Sequence, residues 1–357
     1  MARYALSLLF IALCAWETIV AGSLTKCDPS QCSLRDNCLC PSTRPPANLS
    51  ASSMPQFVML TFDDAVNEEN MDFYRQLLGP GRRRNRANGC NLAATFFVSA
   101  GYTDYSLVHE LHSVGNEIAI HSITHRYNLS YWRTLDVAGW AAEFVGDRDL
   151  LRDYALIPER DMVGARAPFL EAGNGEAYDM MQKSGFVYDS SVCIESNFER
   201  YYHTNRAPFP VFTHDFWLQS PGRRQGYLSF VDWLLTMDDV FVVTVAEVVR
   251  FMRDPKPLDE YVQTSCSRAS EFRRCPQVHS CSFPDAPIKE TRRLIGCKPC
   301  PESYPWLRDV VRKAKDDARV ARKQYFDAGC VLLLCSAFVV CLYVAAKRFG
   351  RRKKRFF

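Results

Sequence analysis

The chain has 357 residues, of which 47% are hydrophobic and 24% are charged, so a mainly disordered or low-complexity protein is excluded. The formal net charge is +4, from 44 basic and 40 acidic residues. Seven of the basic residues lie within residues 347–357, and the rest of the chain, with 37 basic against 40 acidic residues, has a net charge of −3. The charge therefore argues against a nucleic-acid-binding protein.

Residues 1–22 predict a secretory signal peptide. A basic residue precedes an apolar run over residues 4–16, which is too short to span a bilayer, and small residues follow it. We expect cleavage near residues 21–23 and, for the mature chain, an oxidising compartment. Two N-x-S/T sequons, at Asn48 and Asn128, are candidate glycosylation sites in that compartment.

Cysteines cluster in two segments that flank the central region, 23–55 and 256–305, and the first of these ends in a Pro/Ser-rich linker. We expect disulfide bonds in both. A zinc ribbon on Cys297 and Cys300 is the alternative, but it lacks a second pair at matching spacing. The eleven cysteines expected in the oxidising compartment are Cys27, Cys32, Cys38, Cys40, Cys90, Cys193, Cys266, Cys275, Cys281, Cys297 and Cys300. Because eleven is odd, one thiol is predicted to be free, bonded to another chain or bonded to Cys330.

The central region, residues 56–255, alternates short apolar runs with amphipathic segments. The seven runs cover residues 57–62, 94–99, 117–122, 162–168, 186–191, 209–214 and 240–245. Helix-like segments between them include residues 67–78, 105–114, 132–154 and 176–183. This alternation is typical of parallel βα units. We therefore predict an α/β fold, a distorted (β/α) barrel of about seven parallel strands with disulfide-stapled, cysteine-rich flanks.

The C-terminal part of the chain predicts a stalk and a membrane anchor. Residues 306–327 are expected to form a charged, solvated stalk helix. Residues 328–346 contain no charged residue, and as a helix with a rise of about 1.5 Å per residue they would extend about 28 Å, close to the thickness of a bilayer core. The basic tail, residues 347–357, is expected in the cytosol. The prediction is a single-pass type I membrane protein with a lumenal or extracellular body, at the cell surface or in the ER–Golgi system.

Three polar motifs end three of the predicted strands. Asp63 and Asp64 end the first, His121 and His125 follow the third, and Arg166 follows the fourth. In βα folds the C-terminal strand ends share one mouth, where catalytic residues collect. Two histidines four residues apart, interpreted as one face of a helix, and one carboxylate form a typical divalent metal site. Since successive strand residues point to opposite faces, one aspartate can bind the metal while the other is free as a base.

Each motif also has an ordinary structural interpretation. An Asp-Asp pair fits a turn or a helix cap, and a pair of histidines four residues apart fits the surface or the core of a helix. The metalloprotease signature requires glutamate directly after the first histidine, where this chain has Ser122, so a peptidase of that kind is not predicted.

The motifs TFDD (61–64), HSITH (121–125) and RAPF (166–169), in this order, resemble the first three motifs of the polysaccharide deacetylase family, the NodB-homology carbohydrate esterases of family 4. The sequence around them resembles that of arthropod-type chitin deacetylases, and so does the cysteine-rich segment that precedes it. The resemblance covers roughly residues 26–255 and does not extend to the stalk and the membrane span.

This resemblance implies a catalytic base, a metal site and a cation that serves the base. Asp63 would be the base. Asp64, His121 and His125 would bind the metal, with Zn²⁺ expected and Co²⁺ or another divalent ion as alternatives. Arg166 would hold the Asp63 carboxylate in place and ionised, because a nearby cation favours the charged form of a carboxyl group.

The resemblance also implies roles for further residues. The backbone N–H of Phe169, which replaces a tyrosine common in the family, would stabilise the oxyanion. His214 would be the general acid. Asp189 would orient or tune that histidine, or else be a turn residue at a strand end. Trp217 and Phe169 are candidates for stacking against sugar rings.

The basic loop 81–86 is interpreted as solvated, with an anionic polymer as the alternative contact.

The predicted function is metal-dependent hydrolysis of N-acetyl groups from the N-acetylglucosamine units of chitin or chito-oligosaccharides, giving chitosan and acetate. The first alternative is a catalytically weak or inactive membrane-tethered protein that binds chitin or organises a matrix on the same fold. The second alternative is an enzyme acting on another N-acetylated glycan.

Overall fold

The structure, a computed structural model, describes residues 44–173, 175–192, 205–263, 271–284 and 290–307, together with residues 27, 28, 30–32, 40, 42 and 266. The predicted signal peptide, membrane span and basic tail lie outside these residues, as does the predicted stalk beyond Leu307. No helix within the described residues is both long enough and apolar enough to cross a membrane.

Seven strands of the described chain form one parallel sheet: β1 (Gln56–Asp64), β2 (Thr95–Val98), β3 (Glu117–Ile120), β4 (Gly164–Ala165), β5 (Tyr188–Asp189), β6 (Phe209–His214) and β7 (Val240–Val242). The strand order is β5-β4-β3-β2-β1-β6, and β7 pairs with the first residues of β1. Each predicted apolar run overlaps one of these strands, so the prediction of seven parallel strands is confirmed. The sheet is a half-barrel, with β5 at one end and β6 at the other.

Helices alternate with the strands: α1 (Glu68–Leu78), α2 (Tyr105–Ser113), α3 (Leu129–Arg133), α4 (Val137–Tyr154), α5 (Glu176–Lys183), α6 (Asp215–Leu218), α7 (Pro221–Leu234), α8 (Val245–Arg253) and α9 (Leu258–Tyr261). The predicted helix 132–154 was wrong in one respect, because two helices occupy this stretch. Asn128 caps the first and Asp136 caps the second, each accepting a backbone hydrogen bond in the first turn.

Alternate residues of β1 pack into two separate apolar clusters, as expected for a strand buried on both faces. Leu60 and Phe62 belong to the larger cluster, with residues of α1, α2, α4 and α7. Phe57 and Met59 belong to a smaller cluster, with residues of β7 and α8. The face that carries Phe57 and Met59 continues to Asp63, so this side of the strand changes from apolar to polar toward its C-terminal end.

The C-terminal cysteine-rich segment packs back on the half-barrel. It forms an antiparallel hairpin of β8 (His279–Phe283) and β9 (Arg292–Gly296). Ile295 of this hairpin forms a bridge with Asp104, and the Cys297 N–H donates to the Tyr154 carbonyl at the end of α4 (2.7 Å). We call residues 271–284 and 290–307 the extension.

Disulfide bonds form in both cysteine-rich flanks. The pairs are Cys27–Cys40, Cys90–Cys266, Cys275–Cys297 and Cys281–Cys300, and Cys32 is also disulfide-bonded. The zinc-ribbon alternative is therefore wrong, since both of its cysteines are bonded to other cysteines. Cys38 and Cys193 lie outside the described residues, and so does Cys330.

Candidate active site

The polar residues singled out in the sequence meet at the C-terminal ends of the strands. Asp63 and Asp64 are the last two residues of β1, and His214 is the last residue of β6. His121 directly follows β3, and Arg166 directly follows β4. Because these strands run parallel in one sheet, their C-terminal ends lie at the same edge.

Asp63 and Arg166 form a buried ion pair. Arg166 Nη1 lies 2.5 Å from Asp63 Oδ1, and the arginine side chain is fully buried. The guanidinium also donates to Thr61 Oγ1 (3.2 Å), to the Ser190 carbonyl (3.1 Å) and to Ser190 Oγ (2.9 Å). Burial lowers the pKa of Arg166 from its ordinary value, and the interaction with Asp63 opposes that shift. A cation fixed by four hydrogen bonds therefore holds one carboxylate oxygen.

Two aromatic rings complete the surroundings of this cation. The guanidinium carbon of Arg166 lies 3.9 Å from the ring centroid of Phe97 and 4.4 Å from that of Phe212. Both distances fall within the range of cation–π contacts. The guanidinium therefore packs against rings from both strands that pair with β1 at Asp63, namely β2 and β6.

His214 approaches the other oxygen of the same carboxylate. Its Nε2 lies 3.7 Å from Asp63 Oδ2. The sheet register pairs Asp63 with His214 on one side and with Phe97 on the other, so the three residues share one row and one face of the sheet. The His214 side chain is 44% exposed, whereas that of Asp63 is 5% exposed. The histidine can therefore contact a substrate and the carboxylate together.

Asp64 faces the two histidines and not Arg166. Its Oδ1 lies 3.2 Å from His125 Nε2 and 3.8 Å from His121 Nε2. One potential ligand atom from each of these three residues lies within 4.8 Å of the others. Asp64 adopts a positive φ of 81°, which turns the chain as the strand ends.

The chain from His121 to His125 forms a loop, so the interpretation of the two histidines as one helical face was wrong. Ser122 and His125 have positive φ values of 88° and 42°, which interrupt any helix. The loop conformation brings both Nε2 atoms to the Asp64 carboxylate without helical spacing.

A hydrogen bond fixes the tautomer of His121. Its Nδ1 lies 2.8 Å from the Arg166 carbonyl oxygen, which can only accept, so Nδ1 carries the proton. The lone pair of the neutral ring is then on Nε2, the atom nearer to Asp64. Burial lowers the pKa of this histidine, with Asp63 opposing the shift. A neutral imidazole that donates from Nδ1 fits a divalent metal site with Asp64 and His125.

Two acidic residues of α4 that the sequence analysis missed hold this loop. Glu143 accepts hydrogen bonds from the Thr124 N–H (2.9 Å) and from Tyr131 Oη (2.6 Å). Asp147 accepts a hydrogen bond from the His121 N–H (3.3 Å), and burial raises the pKa of Asp147 well above its ordinary value. One sequence feature could have indicated them: two acidic residues, four positions apart, lie on the apolar face of a predicted helix. Charged residues at such a position are rarely buried without a partner.

Phe169 and Asp189 lie near this centre in different settings. Phe169 is 38% exposed, has a φ of 57°, and its ring centroid lies 4.9 Å from that of His125. Asp189 accepts hydrogen bonds from Ser191 Oγ (2.6 Å) and from the Ser191 N–H (3.0 Å). These bonds to Ser191 fit the alternative of a turn residue at the strand end, and an action of Asp189 on His214 stays a prediction.

Cavities lie on both sides of the centre. One of about 500 Å³, which we call the extension-side cavity, has Asp64 and His125 in its wall and reaches the extension. The other, of about 370 Å³, has His214, Phe216 and Trp217 in its wall. We call it the tryptophan-side cavity. Trp217 is 39% exposed.

The basic loop 81–86 lies apart from these cavities. Arg83 pairs with Asp232 (2.7 Å), and Arg86 pairs with Asp238 (2.6 Å). These pairs agree with the interpretation of an ordinary solvated loop.

Comparison with known proteins gives relatives along most of the chain. Chitin deacetylase 1 of Bombyx mori is 30% identical over 79% of this chain and 68% of that protein, and chitin deacetylase 8 of Bombyx mori is 29% identical over 79% of this chain and 92% of that protein. A crystal structure of a putative polysaccharide deacetylase from Mycobacterium smegmatis matches 59% of this chain and 94% of that chain, with 17% identity and a TM-score of 0.42. No protein family model matches the chain.

Proposed function

Because the chain belongs to the polysaccharide deacetylase family, we propose that it hydrolyses the N-acetyl groups of N-acetylglucosamine units in chitin or chito-oligosaccharides, giving chitosan and acetate. The observation that carries the proposal is that a buried carboxylate–arginine pair and a candidate metal site of three residues meet at the C-terminal end of β1. Asp63 belongs to the first and Asp64 to the second, and they are adjacent in the chain.

Asp64, His121 and His125 would hold the metal ion, for which we propose Zn²⁺. When bound, such an ion supplies Lewis-acid polarisation of the amide carbonyl and activation of a water molecule. The neutral state of His121 and the single carboxylate suit this ion, which prefers nitrogen and oxygen ligands in a small, open coordination shell.

The chain's own residues would move the protons. Asp63 accepts a proton from the attacking water on Oδ2, because Oδ1 is hydrogen-bonded to Arg166. His214, placed at the same carboxylate oxygen and partly exposed, donates a proton to the nitrogen as the carbon–nitrogen bond breaks, so that the amine leaves neutral. The Phe169 N–H is proposed to donate to the oxygen that gains negative charge.

The two cavities on either side of these residues are consistent with a polymer substrate. A glycan lying across the centre would place one sugar unit at Asp63 and its neighbours in the two cavities. Trp217 is proposed to offer an aromatic surface to a sugar in the tryptophan-side cavity.

The activity is tested by acetate release from N-acetylglucosamine pentamers by the purified chain with zinc. We expect Asp63→Asn to lose about 100-fold or more of the rate, because a positioned general base contributes about that factor. Asp232→Asn, which removes an exposed carboxylate of α7, serves as the matched control. Equal acetate release by Asp63→Asn and the parent would refute the proposal, and tight polymer binding with no release under any divalent metal would favour the matrix-binding alternative.

The metal site is tested without reference to activity. After equilibration with zinc and desalting, the parent is expected to retain about one ion per chain, and Asp64→Ala is expected to lose it. Asp161→Ala, which removes a carboxylate paired with His112 away from the site, is the control. Equal zinc content in Asp64→Ala and the parent would refute the ligand assignment.

We also propose a secretory location for the body of the protein. The disulfide bonds in both flanks support an oxidising compartment. Asn48 and Asn128 are exposed, which suits glycosylation at either sequon. An endoglycosidase mobility shift that disappears in the Asn48→Gln/Asn128→Gln double variant would support the proposal, and an unchanged mobility of the parent would count against glycosylation.

A further inference from the structure

The extension-side cavity is built from two parts of the chain that are far apart in sequence. The half-barrel contributes Asp64, His125 and Tyr102, the last from the loop that follows β2. The extension contributes Arg292 and Trp306. A cavity of this size, open to solvent and adjoining the candidate metal ligands, is large enough for a small-molecule ligand or one unit of a polymer.

Tyr102 stands in this cavity as an exposed aromatic residue. Its side chain is 68% exposed, and its backbone has a positive φ of 65°, an unusual conformation for tyrosine that projects the ring from the loop. Its hydroxyl lies 3.4 Å from Glu290 Oε2. Because Tyr102 lines the same cavity as Asp64 and His125, its exposed ring offers a flat apolar surface to a ligand bound there.

Arg292 supports one face of this ring. Its guanidinium carbon lies 4.1 Å from the Tyr102 ring centroid and 5.8 Å from that of Trp306. Arg292 Nη2 pairs with Glu290 Oε2 at 3.2 Å, and the residue is 9% exposed. The guanidinium thus occupies one face of the tyrosine ring and leaves the other available.

The polar atoms of Arg292 are enclosed by the protein. Its Nε and Nη1 are buried and have no hydrogen-bond partner within the described part of the chain. A ligand in the cavity therefore meets the ring of Tyr102 and not these two donor atoms.

The extension is fixed firmly enough to shape a binding site. Arg292 is the first residue of β9, whose far end is tied to α4 by the backbone bond from Cys297 to Tyr154. The disulfides Cys275–Cys297 and Cys281–Cys300 close the hairpin around it. The position of the arginine under the tyrosine ring is therefore set by the hairpin and not by a free loop.

We propose that Tyr102, supported by Arg292, is a sugar-binding subsite for the N-acetylglucosamine unit next to the one being deacetylated, and that the extension thereby completes the substrate cleft. The inference rests on the proposed function for the identity of the sugar. The free face of the tyrosine stacks on the sugar ring, and Arg292 holds the tyrosine from its other face.

Binding of N-acetylglucosamine pentamer, measured by titration calorimetry on the zinc-loaded Asp63→Asn chain, tests the subsite. In this background, Tyr102→Ala is expected to raise Kd about tenfold, and Tyr102→Phe, which keeps the ring, to stay within about twofold. Tyr178→Ala, which removes an exposed tyrosine of α5, is the matched control. Circular dichroism and thermal melting of each variant establish that it is folded.

A Kd for Tyr102→Ala within about twofold of its parent would overturn the subsite, whatever the activity of the chain. If Tyr102→Ala binds weakly but the chain with Asp63 intact releases no acetate, the sugar site is supported and the deacetylase proposal fails. A second measurement compares kcat/KM for the dimer and the pentamer in the active chain. Tyr102→Ala should reduce the value for the pentamer more than that for the dimer, and equal reductions would contradict a subsite for the neighbouring sugar.

Discussion

Replacing Arg166 by methionine should destabilise the protein far more than removing an ordinary surface arginine. Arg166→Met keeps most of the apolar stem and removes the charge. It leaves the Asp63 carboxylate buried without its cation, and it leaves Thr61 and Ser190 without a donor. Removing one partner of a buried ion pair costs about 3–5 kcal/mol, because the other charge is left uncompensated. We expect a loss in the free energy of unfolding of that size.

A double-mutant cycle separates the charge effect from lost packing. Asp63→Asn combined with Arg166→Met removes both charges, so the double variant should be more stable than Arg166→Met alone by about 2 kcal/mol or more. The contacts of the guanidinium group with the rings of Phe97 and Phe212 are lost in both variants, so their loss cancels in this comparison. Urea unfolding with intact disulfides, in the presence of a chelator, measures each value.

Arg83→Met is the matched control for this experiment. Arg83 also meets a carboxylate with two nitrogens, at 2.7 Å and 3.2 Å, but its partner Asp232 is 55% exposed. Exposed pairs of this kind contribute about 0–1 kcal/mol, so the control should lose little. If Arg166→Met loses no more than Arg83→Met, or if Asp63→Asn fails to restore stability, the reasoning about a buried compensated charge is refuted.

Three further predictions concern stability and substrate binding. Burial raises the pKa of Glu117, which accepts hydrogen bonds from Tyr188 Oη and the Ala246 N–H, so its contribution to stability is fully present below the ordinary glutamate pKa and is lost as the pH rises through the raised value. Across this pH window the free energy of unfolding of the parent should fall by up to about 1.4 kcal/mol per pH unit, whereas that of Glu117→Gln should not show this fall. Identical pH profiles for the two proteins would contradict the assignment. Replacing Cys90 and Cys266 together by alanine should lower the unfolding free energy by about 2–5 kcal/mol, because the bond closes a loop with a sequence separation of 176, and an unchanged urea midpoint would count against it. Trp217→Ala should raise KM for pentamers about tenfold with kcat little changed, and a fall in kcat alone would place Trp217 outside substrate binding.

The strands and the divergence of the two aspartates could be predicted from sequence because both follow from periodicity, since successive residues of a strand point to opposite faces. Which aspartate meets Arg166 and which meets the histidines was implied only by the family resemblance, and the structure places Asp63 with Arg166 and Asp64 with the histidines. The conformation at His121 could not be predicted in the same way. A spacing of four suggests a helix, but the loop is held by Glu143 and Asp147 from α4, and such long-range hydrogen bonds leave no local pattern.

The surroundings of Arg166 and the second wall of the cleft also exceeded what the sequence could predict. Phe97 and Phe212 look like ordinary core residues of apolar strands, and only the sheet register brings their rings to the guanidinium. Arg292 lies more than a hundred residues from Asp64, in a segment identified only by its cysteines. Its place in the cavity depends on how the hairpin docks.

The register that places His214 beside Asp63 has a consequence for how this protein tolerates change. The separation between these two side chains is set by backbone hydrogen bonds between β1 and β6, and a shift of one residue would turn every side chain of β6 to the opposite face. The loops that surround the mouth take no part in that pairing. Insertions and deletions in those loops can therefore reshape the walls of the cleft, and with them the glycan that the proposed site would accept, while the distance between Asp63 and His214 is preserved.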